Sequence, residues 1–439
     1  MKTKLIAAIV GMAAFASSAS VTISDVIVRQ QWPWNGKVNI DYILHGEEGS
    51  QHDIAVTLRN GSSVITNEYG SLSGDLIGVT PGARRIVWDP AYNSPTYQDA
   101  LMVNFSASLS TAEDDNTYMI VDLSKGTSAT SEDPYPVSFM SAPPADGWTD
   151  EYKTDKLVLR RIPAGTAVLG SPDDEIGRNA YFETRRRTTF TNAFYMAVFE
   201  TTQKQFMNVM GYNPATSGKG DMRAQHSVDY QLLRGTNSFE TTGTWPQHEA
   251  ASFFGVLNSR LPAAVLSAAG LGDYEMELPT VSQWEYACRA GTTGAWNNGT
   301  TITNATTDAN ADLLAQYNGG YGSYASVGLK KANAYGLYDM HGNVAEITRD
   351  RVLYKYLQDD PTIWDGTDQV EPLRYDRFSG RGFRCIACGG WYFQGSSQGA
   401  KNVRSSSNTG LGITTQGPQY GFRIVLTRKR ANSEYIARP

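Results

Sequence analysis

From about residue 24 to residue 123 the chain alternates apolar and polar positions in short runs. Val38, Ile40, Tyr42 and Leu44 share one parity, as do Ile54, Val56 and Leu58, and again Val103, Phe105, Ala107 and Leu109. A period of two belongs to strands with one face buried. Turn signals at Asn35-Gly36, 46–49, Asn60-Gly61, 71–74 and Pro81-Gly82 separate the runs. The pattern predicts an all-β sandwich over 20–124, with Trp32, Trp34 and Trp88 as packing residues. Periodicity then lapses, and 125–155 fills with Ser, Thr, Pro, Gly and acids, a linker composition.

From residue 156 the pattern becomes mixed, and an α+β domain is expected over 156–428, with a tail at 429–439. Leu157, Val158, Leu159 and Ile162 lead into a strand and a Gly-Pro turn, and a second strand pair is expected around 188–199. Thr201 or Thr202 opens a helix through Gln205, Phe206, Val209 and Met210, closed by Gly211. Pro246 suits the first turn of a second helix, which buries Ala250, Phe253, Phe254 and Leu257. Thr280 and Gln283 form a capping box for a third, whose inner face is Trp284, Ala287 and Cys288. Beyond Gly291 regular periodicity fades, and Gly, Asn, Ser and Thr dominate 292–324 and 395–419. Long loops of that kind carry function more often than frame.

Composition narrows the partners. The 439 residues carry a formal charge of −6, so no basic footprint points to nucleic acid. Lys2 and Lys4 precede an apolar run from Leu5 to Phe15 and small residues at 16–20, the layout of a signal peptide over 1–19. The run is too short to span a membrane, and no later segment is apolar enough. A secreted, periplasmic or cell-surface location is expected. Three cysteines, Cys288, Cys385 and Cys388, make no disulfide scaffold. Cys385 and Cys388 have CxxC spacing, but residues three apart on a strand face opposite ways.

One stretch, YGLYDMHGNVAEITRD (335–350), gathers glycines, Asp339, Asn343 and Glu346 about a small apolar core. Glycines let carbonyls turn inward, and carboxylates add the hard oxygens that calcium takes. The alternative is a turn tied by Asx side chains.

Together with LPTVSQWEYACRAGTT (278–293), RRIPAGTAVLGSP (160–172), FYMAVFETTQKQF (194–206) and the closing Gly389-Gly390, Arg404 and Gly421-Phe422-Arg423, this stretch resembles the formylglycine-generating-enzyme, or sulfatase-modifying-factor, family. The blocks stand in family order. The resemblance implies a C-type-lectin-like α+β fold with little regular structure. It implies structural calcium held by Asp339, the carbonyls of Gly342 and Val344, and Glu346. A second family site maps to Asn310 and the carbonyl of Ala311, although its acid falls at Gly319 and its aromatic at Tyr321. The family's Trp pair is Ala345 and Ile347 here.

The family's oxidases hold copper on two cysteines after the glycine pair, whereas 389–399 contains none. Gln394 and Gln398 or Gly399 stand there instead, and an amide oxygen does not replace a soft thiolate. The ergothioneine sulfoxide synthases of the same superfamily need spaced iron-binding histidines, and His45, His52, His226, His248 and His341 are scattered. No GxSxG elbow marks a hydrolase.

Two readings follow. In the first, the domain is a non-catalytic scaffold binding a protein or glycan ligand through Trp391, Tyr392, Phe393, Gln394, Ser396, Gln398, Asn402, Ser405, Ser407, Asn408 and Tyr420. These residue types suit adaptable binding surfaces. The segment lies where the lectin-like receptors of diversity-generating retroelements vary. In the second, the domain is a formylglycine-generating-type oxidase acting on protein cysteine, or another enzyme of the superfamily.

Overall fold

The computed structural model describes residues 21–30, 38–47, 52–60, 63–64, 71–74, 79–89, 101–109, 116–180, 182–235, 248–319, 324–353, 369–370, 372–373, 383–392 and 399–430. The chain forms two compact units, Met1–Asp115 and Asn116–Pro439.

In the first unit the alternation becomes two antiparallel sheets. One orders strands Thr22–Gln30, Val38–His45, Gly82–Asp89 and Ser71–Gly74; the other orders Ser63–Val64, His52–Asn60 and Leu101–Leu109. Val38, Ile40, Tyr42 and Leu44 all point inward, meeting Ile54, Leu58, Val103 and Phe105 from the other sheet. Trp88 joins this core, while Trp32 and Trp34 lie outside the described residues. Asp25 adopts a left-handed φ of 50° where the first strand slips register between Ser24 and Ile27. This is a bulge of the kind short polar residues tolerate.

The second unit begins earlier than composition suggests. By composition Tyr118–Asp122 falls inside the expected sandwich, 20–124. It instead pairs with Lys156–Ile162 and Val137–Met140, inside a sheet whose other strands are Phe194–Ala197, Val425–Arg428 and Tyr274–Glu277. The stretch expected to be a linker therefore supplies an edge strand. The physical reason is burial, since Met119 and Val121 lie under one core while Tyr118 and Ile120 lie under another. Neighbouring strands are covered on both faces in the same way: Tyr195 and Ala197 serve one core, Phe194 and Met196 the other.

Among the described residues this unit also has six short helices: Gln203–Met210, Tyr230–Arg234, Phe253–Ser259, Ala263–Ala268, Val281–Arg289 and Ala309–Leu314. The first starts at Thr202, whose side chain and Gln205 complete a capping box, and Gly211 closes it at φ 80°. The helix expected from Pro246 starts later, at Ser252, whose Oγ accepts from Gly255 N. Pro246 itself lies outside the described residues. Val281–Arg289 is buried throughout. Its cap is reciprocal: Gln283 N donates to Thr280 Oγ1 and Thr280 N to Gln283 Oε1, both at 3.0 Å. Thr280→Ala should lower unfolding stability by about 1 kcal/mol. A urea midpoint unchanged by that substitution would show the cap to be idle.

A separate four-stranded sheet carries the loops of interest. It orders Asn408–Gly412, Phe383–Cys388, Ala345–Leu353 and Tyr420–Gly421, the last pair running parallel. Cys385 and Ala387 face one core, and Ile386 and Cys388 the other, so the CxxC thiols point apart. Among the described residues no helix is long and apolar enough to cross a membrane.

Candidate functional site: an acid-rich turn that anchors two loops

Residues 339–346 bend through three left-handed residues, Asp339 at φ 57°, Gly342 at 90° and Asn343 at 59°. At Gly342 a Cβ would lie 2.3 Å from Gln316 O, so the chain needs glycine there. Bent this way, the turn presents its main chain and the Asn343 side chain to several other segments. Asn343 N donates to Gln316 O at 2.8 Å, and Gln316 N to His341 O at 3.2 Å. Gly342 N reaches Gly389 O at 2.7 Å. Ala325 N binds Asn343 Oδ1 at 3.2 Å. Tyr392 N donates to Asn343 O at 2.9 Å, and Ala345 N to Gln419 O at 2.8 Å.

Charge is concentrated beneath the turn. Glu200, Asp339 and Glu346 are all buried, and so is Arg423. Arg423 binds Glu346 through Nη2 at 2.7 Å and Nε at about 3.0 Å, and gives its remaining donors to the carbonyls of Ala197, Val198 and Tyr338. Trp284 Nε1 adds a bond to Glu346 Oε2 at 2.7 Å. Glu200 accepts from Asn343 Nδ2 at 2.5 Å and Val344 N at 3.0 Å. Asp339 Oδ2 accepts from Gly328 N at 2.6 Å. Burial, reinforced by the neighbouring carboxylates, pushes the Glu200 carboxyl well above its ordinary range. Burial likewise raises Asp339 to about 6.

Glu200 and Arg423 escape a reading by spacing. Glu200 ends an apolar strand and looks like a solvent-facing terminus, and Arg423 stands out only as part of the closing motif. The one available signal was a carboxylate directly following the buried run Phe194–Phe199.

The oxygen donors are of the kind a hard cation takes, and three buried carboxyls stand around a single guanidinium. The carboxylates do not converge as a ready cage: among the described residues no group of three or more His, Cys, Asp or Glu side chains is placed to hold a metal. Backbone carbonyls at Gly342 and Val344 would have to complete the shell with Asp339 and Glu346. Asn310 and Ala311 lie apart from this turn, in the helix Ala309–Leu314, and their oxygens are engaged locally. Ala311 O accepts from Ala315 N at 2.7 Å, and Asn310 Oδ1 from Asn298 Nδ2 at 3.0 Å. Gln316, two residues beyond that helix, lies beside Gly342.

Of the proposed binding residues, Trp391 and Tyr420 are half-buried and meet edge to face, with centroids 6.3 Å apart. Asn402 and Asn408 are half-buried as well. Tyr392, Ser405 and Ser407 turn inward. Tyr392 OH donates to Tyr324 OH at 3.2 Å, and Ser405 Oγ to Ala295 O at 3.0 Å. The serine run at 405–407 is drawn in by its neighbour, since Arg404 is buried between Glu175 and Glu183 and also binds Ser171 and Ser406. Phe393, Gln394, Ser396 and Gln398 lie outside the described residues.

Tyr324 also stacks on His226, with centroids 4.4 Å apart. The His226 ring is fixed by Ser217 O at 3.0 Å and Ser227 Oγ at 2.9 Å, and burial holds its imidazole below the ordinary value. Cys288, Cys385 and Cys388 are buried and free. Burial raises the first two thiols to about 12 and the third well above its ordinary value. They are therefore neutral thiols rather than metal-ready thiolates.

Residues 149–428 match the family model described as the sulfatase-modifying factor enzyme 1-like domain, and the chain belongs to that family. A chaperone protein, LppX, from Paenibacillus barcinonensis is 29% identical over 178 residues, covering 35% of this chain and 60% of that protein. The chain thus spans less than two thirds of that relative. Among solved structures, variable protein 1 of Treponema denticola aligns with a TM-score of 0.44 at 22% identity, over 62% of this chain and 95% of that one. PvdO from Pseudomonas aeruginosa aligns at 0.42 and 20%, over 61% and 94%.

Proposed function

We propose that the second unit is a lectin-like binding scaffold without catalysis, exported by the N-terminal segment, and that its ligand is a protein or glycan. The observation that carries this reading is the turn at 342–346. Its main chain anchors the 391–392 and 419–420 segments at once. Trp391 and Tyr420 are left half-exposed on that fixed base. A rigid frame holding polar and aromatic loops is how binding surfaces are built. The oxidase alternative draws no support from the thiols, which are buried, neutral and outside the 389–399 segment.

Screening the full chain against glycan and protein arrays tests the reading. Trp391→Ala and Tyr420→Ala should each weaken any captured ligand at least about tenfold while the protein still unfolds cooperatively. Stoichiometric cuprous binding with oxygen-dependent turnover of a cysteine peptide would overturn it. A reverse transcriptase beside a near-copy of the 3′ coding end would mark the loops as diversified.

Calcium at the Asp339 turn belongs to the same proposal, as the ion that steadies this base. Chelation should lower the melting temperature, since a ligand bound only to the native state stabilises it by mass action. Glu346→Gln should blunt that response. A melting temperature indifferent to chelator and to added calcium counts against the ion.

A further inference from the structure

On the second unit, a cavity of about 310 Å³ opens between the helices Phe253–Ser259 and Ala263–Ala268 and the edge strand Tyr274–Glu277. That volume sits at the small end of the range for small-molecule sites, about 300–1,000 Å³. Nothing in the sulfatase-modifying-factor reading uses it.

Its floor is rigid. Asn258 brackets the strand edge, accepting from Met276 N and donating to Met276 O, both at 2.9 Å. His248 lies beside it, with Nδ1 3.3 Å from Asn258 Nδ2 and Nε2 3.0 Å from Glu277 Oε2. Both polar side chains are thus already engaged by the protein, and neither is left to choose a ligand.

The selective groups are on the walls. Among the described residues Glu275 has one ion contact, 3.7 Å from Arg349, whose nearer partner is Glu277 at 3.1 Å. Lys429 has its backbone tied to Asp273 O at 2.8 Å, and its ammonium pairs with no carboxylate among the described residues. Leu261 and Leu266 supply an apolar wall between them. Glu275, Lys429 and the aliphatic Leu261 and Leu266 therefore line one small cavity.

We propose that this cavity binds a free α-amino acid with an aliphatic side chain. Its ammonium pairs with Glu275, its carboxylate with Lys429, and its side chain lies on Leu261 and Leu266. The fit follows from charge and hydrophobicity together, since an aliphatic acid leaves Glu275 unanswered and an aliphatic amine leaves Lys429 unanswered.

Titration calorimetry of the full chain with L-leucine, leucinamide and N-acetyl-leucine tests the proposal. Leucine should bind at least about tenfold more tightly than either capped analogue, the value of one charge-assisted contact. Lys429→Met should bring leucine level with leucinamide, and Glu275→Gln should bring leucine level with N-acetyl-leucine. Trp391→Ala should leave all three isotherms unchanged, which separates this cavity from the loop surface proposed above. Absence of heat for leucine, equal affinity for the capped analogues, or discrimination that survives both variants would overturn it. If either variant does not fold, the wild-type ranking of the three compounds still decides.

Discussion

Arg423→Met should lower the stability of the second unit by about 3–5 kcal/mol, the usual cost of removing one partner from a buried ion pair. The substitution leaves Glu200, Asp339 and Glu346 buried together without their guanidinium, and deprives the carbonyls of Ala197, Val198 and Tyr338 of a donor. Glu346→Gln should cost less. Arg423 would remain under the field of Glu200 and Asp339, and the amide oxygen could still accept from Trp284 Nε1. The ranking is therefore the informative result. Urea unfolding of the full chain, followed through the transition of the second unit, measures both variants. Equal losses, or a larger loss for Glu346→Gln, would show that the surplus of buried carboxylates does not govern this turn.

The same cluster explains what could and could not be read from the chain alone. The sandwich strands were legible because a single parity carries the buried face, as in Val38, Ile40, Tyr42 and Leu44. The opposed CxxC thiols were legible for the same geometric reason. Tyr118–Asp122 was not, because a strand covered on both faces has no alternation to set it apart from its predecessor. Ser405 and Ser407 read as surface by composition, yet Arg404 beside them is pulled into a pocket of acids by residues more than two hundred positions away. Asp339, Gly342, Val344 and Glu346 were singled out by spacing and resemblance as calcium ligands. Their link to Glu200 depends on hydrogen bonds that no local pattern encodes. Asn310 and Ala311, named through resemblance alone, stand in a short helix that Asp308 caps, which no periodicity marked.

Glu277→Gln should cost a comparable amount, about 3–5 kcal/mol near neutral pH, and its cost should shrink in acid. Glu277 is fully buried, with Arg234 donating to it at 2.7, 2.9 and 3.0 Å and His248 Nε2 at 3.0 Å, while Arg349 Nε stands 3.1 Å away as an ion pair. Burial alone would raise its carboxyl. The fields of Arg234, Arg349 and His248 outweigh that and hold it well below the ordinary 4.5. A carboxyl depressed on folding contributes its stability in full above the unfolded value. As pH drops below about 4.5 the unfolded chain takes up the proton first, so stability falls until the folded carboxyl is also protonated. The amide introduced by Glu277→Gln has no such proton to bind, and the wild type should lose its advantage across that acid range. Urea midpoints at about pH 7 and about pH 3 measure the difference between the two proteins. A gap that stays constant over that interval would mean that the Arg234–Glu277–Arg349 network is held by packing rather than by charge.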